Sequence, residues 1–274
     1  MFETNYIDKI LILERDTNNN SRHDGFLGSF NLIKDLKKYN FDKIFIFNSS
    51  LRFNLIARFS NIPNIYQYPL FNKNKQHIID TPKKFLKNKL DIDVNEDPDI
   101  QISDKLISEA TKKFQIDKNE LNILMGIGGS GPTKRIPSRI FLKVIDKTLK
   151  LKKCKFFLAT GKNTEEQVIL NEILSTKYKN FCVPLDKFSI KETLPIIKNC
   201  NLSICNDSSF SHLSAALGIK TITLMADTPL IYGNYSSNMF PILPDGEEIV
   251  SHNTLGKEKI NPEKIFSKIV EIIS

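Results

Sequence analysis

Apolar and polar positions along the chain follow two alternating periods, which predict strands and helices in turn. In the first third, strands are predicted over Ile7–Glu14, Lys43–Phe47 and Asn64–Tyr68, with helices over Phe26–Tyr39 and Leu51–Phe59 between them. The unbroken apolar run of the second strand is typical of a strand covered on both faces. This β-α-β-α order predicts parallel α/β layers.

The middle of the chain is less regular. A short helix is predicted over Pro82–Lys89, and a clearer one over Ser103–Phe114, where Ser103 is a favourable N-cap residue. We place a domain boundary in this region, with one domain over residues 1–104 and a second over residues 105–274.

A second α/β series fills the rest of the chain and predicts another layered domain. Its final helix could pack back on the first domain. Strands are predicted over Leu121–Met125, Lys155–Ala159, Asn180–Val183, Leu202–Cys205 and Thr221–Met225, and helices over Ser138–Leu149, Thr164–Leu174, Ser189–Lys198, His212–Leu217 and Pro262–Ile273.

Charge narrows the range of partners only a little. The 39 Lys and Arg exceed the 31 Asp and Glu, for a formal net charge of +8. This surplus suits a nucleotide, a phosphorylated glycan, a membrane surface or a nucleic acid, although much of it also fits solvated lysine faces on helices. A nucleic-acid partner is disfavoured because the sequence contains no base-stacking motif.

The cysteines indicate a reducing compartment rather than a disulfide framework or a metal centre. The four cysteines, Cys154, Cys182, Cys200 and Cys205, form no CxxC pair and lie in or beside apolar stretches. We therefore expect buried free thiols, a cytoplasmic protein, and no metal or cofactor. No apolar run reaches the roughly 18–20 residues of a membrane span, so any membrane contact is expected to be peripheral.

The first candidate motif is the glycine-rich stretch Gly126–Pro137. It contains G-x-G-x-x-G at Gly126, Gly128 and Gly131. A dinucleotide-binding turn needs a helix that opens on the last glycine, and Pro132 delays that helix. A P-loop is excluded as well, because Pro132 stands where its lysine must be.

What remains is a glycine-rich turn at the carboxyl end of a strand. Its backbone N–H groups can form an anion nest, and Ser130, Thr133 and Lys134 supply hydroxyl groups and a positive charge. Ligands of open α/β sheets prefer this edge. An ordinary connecting loop with exposed cations is the alternative interpretation.

The second motif follows another buried strand, at Asp207. Ser208 and Ser209 open a short Ala-rich helix, and His212 lies in its first turn. A helix N-terminus at the end of a strand is a ready anion site. Alternatively, Asp207 is only an N-cap and His212 only a first-turn residue. If both motifs are functional, the two strand ends converge on one crevice.

A third, weaker element is the turn from Thr160 to Glu166. An acid at its end, Glu165 or Glu166, could accept hydrogen bonds from ribose hydroxyls. Acids are also favoured at any helix N-terminus by the helix dipole, so both interpretations stay open.

These elements, in this order, resemble glycosyltransferase family 9, the ADP-heptose:lipopolysaccharide heptosyltransferases. The segment Lys134–Pro137 is similar to the family's Lys-Arg-Trp-Pro, with Ile136 at the aromatic position. Asn206–Gly218 is similar to its Asn-Asp-Thr/Ser-Gly-x-x-His-x-x-Ala-Ala-Leu-Gly signature, with Ser209 at the glycine position. Phe41–Phe59 and Pro184–Glu192 resemble two further family segments, so the similarity covers most of the chain.

The resemblance implies a GT-B fold, in which two Rossmann-like α/β domains face each other across a cleft. It implies an inverting, metal-independent enzyme that moves a heptose from an ADP-heptose-like donor to a lipopolysaccharide core-type acceptor, with Lys134 stabilising the leaving group. Glu166 aligns as well as Glu165 beside the nucleoside. The implied nucleotide-sugar-binding residues are Gly129, Ser130, Thr133, Lys134, Glu165, Asp207, Ser208, Ser209 and His212.

The N-terminal part departs from the family pattern. Tyr6–Leu13 matches a segment that normally follows a first βαβ unit, on the order of 30 residues. That unit carries the family's candidate general base, so no base is assigned here and the N-terminal domain is predicted to be incomplete. The alternatives are a non-catalytic nucleotide-sugar-binding module or a truncated inactive fragment, and a GT-B sugar-nucleotide epimerase.

Overall fold

The computed structural model describes residues 7–15, 21–70 and 79–274, which form two compact units. We call the described residues up to Asn95 the N-unit and Glu96–Ser274 the C-unit. The division lies earlier than the predicted boundary at residue 104. Ile100 explains the difference, because its N–H donates to the Ala216 carbonyl at 2.8 Å and its side chain packs on the core of the C-unit.

The N-unit contains a two-stranded parallel sheet and three helices in its described residues. Five predicted elements are confirmed here, one with the predicted ends and four with small changes at their ends. The strands are β1 (Lys43–Ile46) and β2 (Asn64–Gln67), and the helices are α1 (Gly25–Lys37), α2 (Leu51–Phe59) and α3 (Asp80–Leu90).

The predicted strand Ile7–Glu14 is wrong, because the described residues 7–15 form no ladder. Their apolar alternation has no hydrogen-bonded neighbour to pair with, and Ile12 is 77% exposed. A cavity of about 620 Å³ is lined by residues of this segment and of β1. The Glu14 N–H instead donates a hydrogen bond to His23 Nδ1 at 3.0 Å.

The expectation that Lys43–Phe47 is covered on both faces is also wrong. Only Ile46 of β1 is buried, and Phe47 just after it is 53% exposed. In the described residues β1 pairs only with β2, so too few neighbours are present to cover it.

The C-unit is built on a six-stranded, fully parallel sheet with the order β5-β4-β3-β6-β7-β8. Its strands are β3 (Leu121–Gly126), β4 (Cys154–Ala159), β5 (Cys182–Pro184), β6 (Leu202–Asn206), β7 (Thr221–Leu224) and β8 (Met239–Ile242). Its helices are α4 (Asp104–Lys113), α5 (Ser138–Leu151), α6 (Thr164–Leu174), α7 (Ile190–Lys198), α8 (Ser209–Ala216) and α9 (Pro262–Ile273).

The strand order positions the candidate site. After β5 the chain returns to the other side of β3, so a topological switch point lies between β3 and β6. Gly126 at the end of β3 is in register with Ala159 of β4 and Cys205 of β6. The carboxyl ends of these three strands therefore meet at one edge, where ligands of doubly wound folds bind.

The core of the C-unit covers both faces of this sheet. One cluster includes fully buried Phe141 and Phe156, and a second includes fully buried Leu124 and Phe157. The final helix contributes Ile265 and Ile269 to the first cluster and thus packs within the C-unit. A last strand, β8, was not among the predicted elements.

Candidate functional site

The glycine-rich loop after β3 lies under the start of α6. Gly128 and Gly129 are buried, and the Gly129 N–H donates to Glu166 Oε1 at 2.6 Å. A Cβ on Gly128 would lie 2.4 Å from the same oxygen and 3.1 Å from Thr160 Cα, so a larger residue there would displace the Glu166 carboxylate. The loop is closed further by Arg135, whose Nε donates to the Gly129 carbonyl at 2.8 Å.

The loop after β6 is joined to the glycine-rich loop by two contacts. Asn206 Nδ2 donates to the Ile127 carbonyl at 2.9 Å. Lys134 Nζ lies 2.7 Å from Asp207 Oδ2, and Asp207 is only 5% exposed. The structure thus brings the two sequence motifs together, with a cation from one beside a carboxylate from the other.

Helix α8 begins at the same edge with its first turn uncapped by a side chain. Its N-cap residue Ser208 is extended, with φ −151° and ψ 172°, and makes no side-chain cap bond. Within the described chain, Ser208 Oγ is buried without a hydrogen-bond partner, as are Thr160 Oγ1 and Asn206 Oδ1. Buried unpaired polar atoms are uncommon and point to a ligand or solvent that completes them.

A cavity of about 510 Å³ opens at this edge. This volume falls in the range of small-molecule sites. The phenyl rings of Phe188 and Phe210 with Ile190 provide apolar walls, while hydroxyl and backbone groups provide polar ones. Its lining residues are Gly128, Gly129, Ser130, Thr160, Gly161, Lys162, Glu166, Asp186, Phe188, Ile190, Ser208, Ser209 and Phe210.

The predicted site residues divide into three groups in the structure. Gly129, Ser130, Ser208 and Ser209 line the cavity. Lys134 and Asp207 form the ion pair that joins the two loops. Thr133, Glu165 and His212 are outside the cavity lining, as are Lys134 and Asp207.

Of the two adjacent acids, only Glu166 faces the cavity. Glu166 is 6% exposed and accepts hydrogen bonds from Gly129 and Asn163. Glu165 has a side chain that is 70% exposed and pairs with Arg135. Thr133 donates its hydroxyl to Asp227, a buried acid that also accepts the Leu255 N–H at 2.8 Å.

His212 is held by a tyrosine that the sequence interpretation missed. The Tyr235 hydroxyl lies 2.6 Å from His212 Nδ1, and the two rings stack with an interplanar angle of 13°. Burial lowers the pKa of His212 below its ordinary 6.5. The negative charge of Asp207 partly offsets this effect on the pKa, and the positive charge of Lys134 adds to it. Burial raises the pKa of Tyr235 to about 12.

Four further residues at the site were not predicted from the sequence to be site residues. Asp186 and Phe188 line the cavity within Pro184–Glu192, so the resemblance of that segment was the available signal. Phe210 lies inside the second motif at an unspecified position of the signature. Tyr235 is distant in sequence from both motifs, and no spacing rule indicates it.

Among the described residues, no three His, Cys, Asp or Glu side chains are grouped as metal ligands would be. In the same part of the chain, every helix is too short or too polar to cross a membrane.

Comparison with known protein families matches residues 29–261 to "Glycosyltransferase family 9 (heptosyltransferase)". Two curated relatives agree. Lipopolysaccharide heptosyltransferase 1 of Campylobacter coli is 29% identical over 62% of this chain and 52% of its own length. Lipooligosaccharide heptosyltransferase 2 of Campylobacter jejuni is 31% identical over 73% of this chain and 61% of its own. The chain thus spans about half to three fifths of these relatives.

The fold is similar to that of a solved heptosyltransferase. ADP-heptose lps heptosyltransferase II of E. coli matches 89% of this chain and 80% of its own, with a TM-score of 0.72 and 18% sequence identity. The predicted α/β class with parallel sheets is confirmed, and the fold matches that of GT-B heptosyltransferases, with 80% of the solved chain covered.

Proposed function

The chain belongs to glycosyltransferase family 9, the heptosyltransferases, and from that premise we propose that it acts in glycosyl transfer of lipopolysaccharide biosynthesis. The C-unit binds the nucleotide-sugar donor. The donor resembles ADP-heptose, the sugar nucleotide in the name of the E. coli structure, and the acceptor is a lipopolysaccharide core-type glycolipid.

The observation that carries the proposal is the convergence of two anion-binding motifs on one cavity. Lys134 lies beside the first turn of α8 through its 2.7 Å contact with Asp207. Helix N-termini and lysines are both favourable partners of a diphosphate. The buried, unpaired hydroxyl of Ser208 supplies a further donor at the same place.

The apolar part of the cavity suits a nucleoside. Phe188 and Phe210 can contact a base, and the carboxylate of Glu166 can accept ribose hydroxyls. We therefore assign the nucleoside contact to Glu166 rather than Glu165, whose carboxylate pairs with Arg135.

The transfer step is inverting and needs no metal in this proposal. Lys134 and the N–H groups of Ser208 and Ser209 stabilise the negative charge that develops on the leaving nucleoside diphosphate. Electrostatic stabilisation of this kind is commonly the largest contribution to rate enhancement. His212, which stays neutral at pH 7 because its pKa is lowered, provides a hydrogen-bonding group beside the sugar.

The proposed acceptor is a membrane lipid, so the transfer reaction takes place at a membrane surface. A lipid-linked core acceptor is available at the inner face of the cytoplasmic membrane, and a peripheral contact suffices to reach it. The net charge of +8 favours an anionic surface of this kind.

Donor binding is tested by calorimetric titration of the full chain with ADP, UDP and their sugar conjugates. We expect saturable binding of ADP and ADP-heptose and weaker binding of the UDP compounds. If none of these compounds binds, the proposed donor site and the alternative of a non-catalytic binding module are both rejected.

Transfer is tested by incubation with ADP-heptose and a Kdo–lipid A acceptor, followed by mass spectrometry of the lipid. A gain of one heptose supports the proposal, and binding without gain supports the non-catalytic module. NMR of a UDP-sugar incubated without acceptor separates the epimerase, which would change the sugar in the absence of any acceptor.

A further inference from the structure

Helices α1 and α2 expose the apolar side chains that their helical periodicity would place in a core. Phe26 is 78% exposed, Leu27 77% and Phe59 62%. The groove between the two helices has a volume of about 610 Å³ and is mostly apolar. We call this surface the α1–α2 face; its exposed apolar residues are Phe26, Leu27, Phe30, Leu51, Leu55 and Phe59.

Positive charge borders the α1–α2 face. Lys34 and Lys37 on α1 and Arg58 on α2 are exposed. Arg52 also lines the groove, where its guanidinium donates to the His23 carbonyl at 2.6 Å. Helix α2 contains no acidic residue.

The acids near the face are neutralised by ion pairs. Asp35, the acid within α1, lies 2.7 Å from Arg22 and 2.8 Å from Lys38, which hold its pKa well below its usual range. Asp24, before α1, pairs with Arg15 at 3.4 Å. The face is therefore apolar at its centre and cationic at its border.

We propose that the α1–α2 face binds the surface of a bilayer that contains anionic phospholipid; the assignment of this face rests on the peripheral membrane contact of the proposed function. Aromatic and leucine side chains can insert at the boundary between headgroups and acyl chains, while lysine and arginine contact the anionic headgroups. Each such cation adds attraction to a negatively charged leaflet. The cations at the border favour an anionic membrane as the partner of this face. An uncharged apolar partner would have no electrostatic attraction to them.

The test is co-sedimentation of the full chain with phosphatidylcholine vesicles, with or without phosphatidylglycerol. We expect binding only to the anionic vesicles. Phe30→Ser/Phe59→Ser and, separately, Lys37→Glu/Arg58→Glu should each weaken it by about tenfold or more. The assay contains no sugar nucleotide, so its outcome is independent of the proposed transfer.

Two matched variants control for general effects of apolarity and charge. Leu151→Ser/Val168→Ser removes two apolar side chains of the C-unit that are each 50% exposed. Lys84→Glu/Lys89→Glu makes the same charge change at exposed positions of α3. Both should bind anionic vesicles within about twofold of the unmodified chain.

The proposal is overturned if the chain does not bind anionic vesicles, or if the face variants bind as tightly as the controls. It is also overturned if sedimentation velocity shows a dimer that Phe30→Ser/Phe59→Ser dissociates without any vesicle binding, since the occupant is then a second copy. Circular dichroism checks that each variant is folded. If Phe30→Ser/Phe59→Ser is unfolded, the vesicle binding of Lys37→Glu/Arg58→Glu tests the proposal.

Discussion

Lys134 already has an anionic partner before any donor binds. Its ammonium group lies 2.7 Å from Asp207, so a diphosphate would share or replace that carboxylate. Lys134→Ala should weaken ADP binding by about 1.5–3 kcal/mol, the loss expected for a charge-assisted contact. Calorimetric titration measures this change.

The control for Lys134→Ala is Lys143→Ala, which removes an exposed lysine on α5. It lowers the net charge equally and should leave ADP affinity unchanged. Equal affinities for the two variants would contradict the placement of the phosphates beside Lys134.

Tyr235 offers a test of how His212 is held. Because burial keeps the phenol protonated, its O–H can donate to the neutral His212 imidazole at Nδ1. A bond to the neutral form lowers the pKa of the imidazole, so Tyr235→Phe should raise the His212 pKa toward its ordinary 6.5.

The His212 pKa is measured directly by NMR titration of the imidazole carbons. Tyr232→Phe is the matched control, because Tyr232 lies near a different histidine, His252. An unchanged His212 pKa in Tyr235→Phe would show that the tyrosine only packs against the ring.

At this scale the sequence indicated candidate residues but could not show which of them the fold brings together. Lys134, Asp207 and Ser208 were candidates because they lie directly after strands or in a glycine-rich turn. Spacing could not choose between Glu165 and Glu166, because adjacent residues in a first helical turn point in different directions and only packing determines which side chain is buried. Contacts with Tyr235 depend on long-range folding and leave no local pattern.

At the scale of elements, the glycine-rich loop depends on one close approach. A Cβ at position 128 would lie 2.4 Å from Glu166 Oε1 and 3.1 Å from Thr160 Cα. Gly128→Ala should therefore lower the free energy of unfolding by about 1–3 kcal/mol, as overpacking does, and weaken ADP binding. Denaturant unfolding and titration measure both effects.

Gly131→Ala is the control in the same loop, since the nearest atom to its Cβ would be Thr133 Oγ1 at 3.9 Å. It should change the free energy of unfolding by no more than about 0.5 kcal/mol. Similar losses in both variants would mean that the loop is sensitive to any added side chain.

Most elements of the C-unit were predictable because its parallel strands are short apolar runs, and several of its helices begin after a favourable N-cap residue. Asn163, Ser189 and Asn261 each accept a capping hydrogen bond in the structure. Strand β8 escaped prediction because Pro241 interrupts it, which only an edge strand tolerates. Ile7–Glu14 was predicted wrongly because apolar alternation does not reveal whether a pairing neighbour is present.

At the scale of the whole molecule, the packed C-unit protects its thiols. All four cysteines are buried in it, and burial raises the pKa of Cys154 to about 11 and those of Cys182 and Cys205 to about 12. Since only thiolates react readily, none should be labelled by a disulfide reagent at pH 8 in the native state, and all four should react in denaturant. Rapid native labelling of any thiol would contradict the described packing.

The exposed aromatic and leucine side chains of α1 and α2 also affect how the purified protein would be judged. Dyes such as anilinonaphthalene sulfonate fluoresce on accessible apolar surface and are widely used to diagnose molten globules. This chain should brighten the dye while fully folded, because Phe26 and Phe59 are accessible in the folded N-unit. Bright dye fluorescence together with four unreactive thiols would be the signature of its native state.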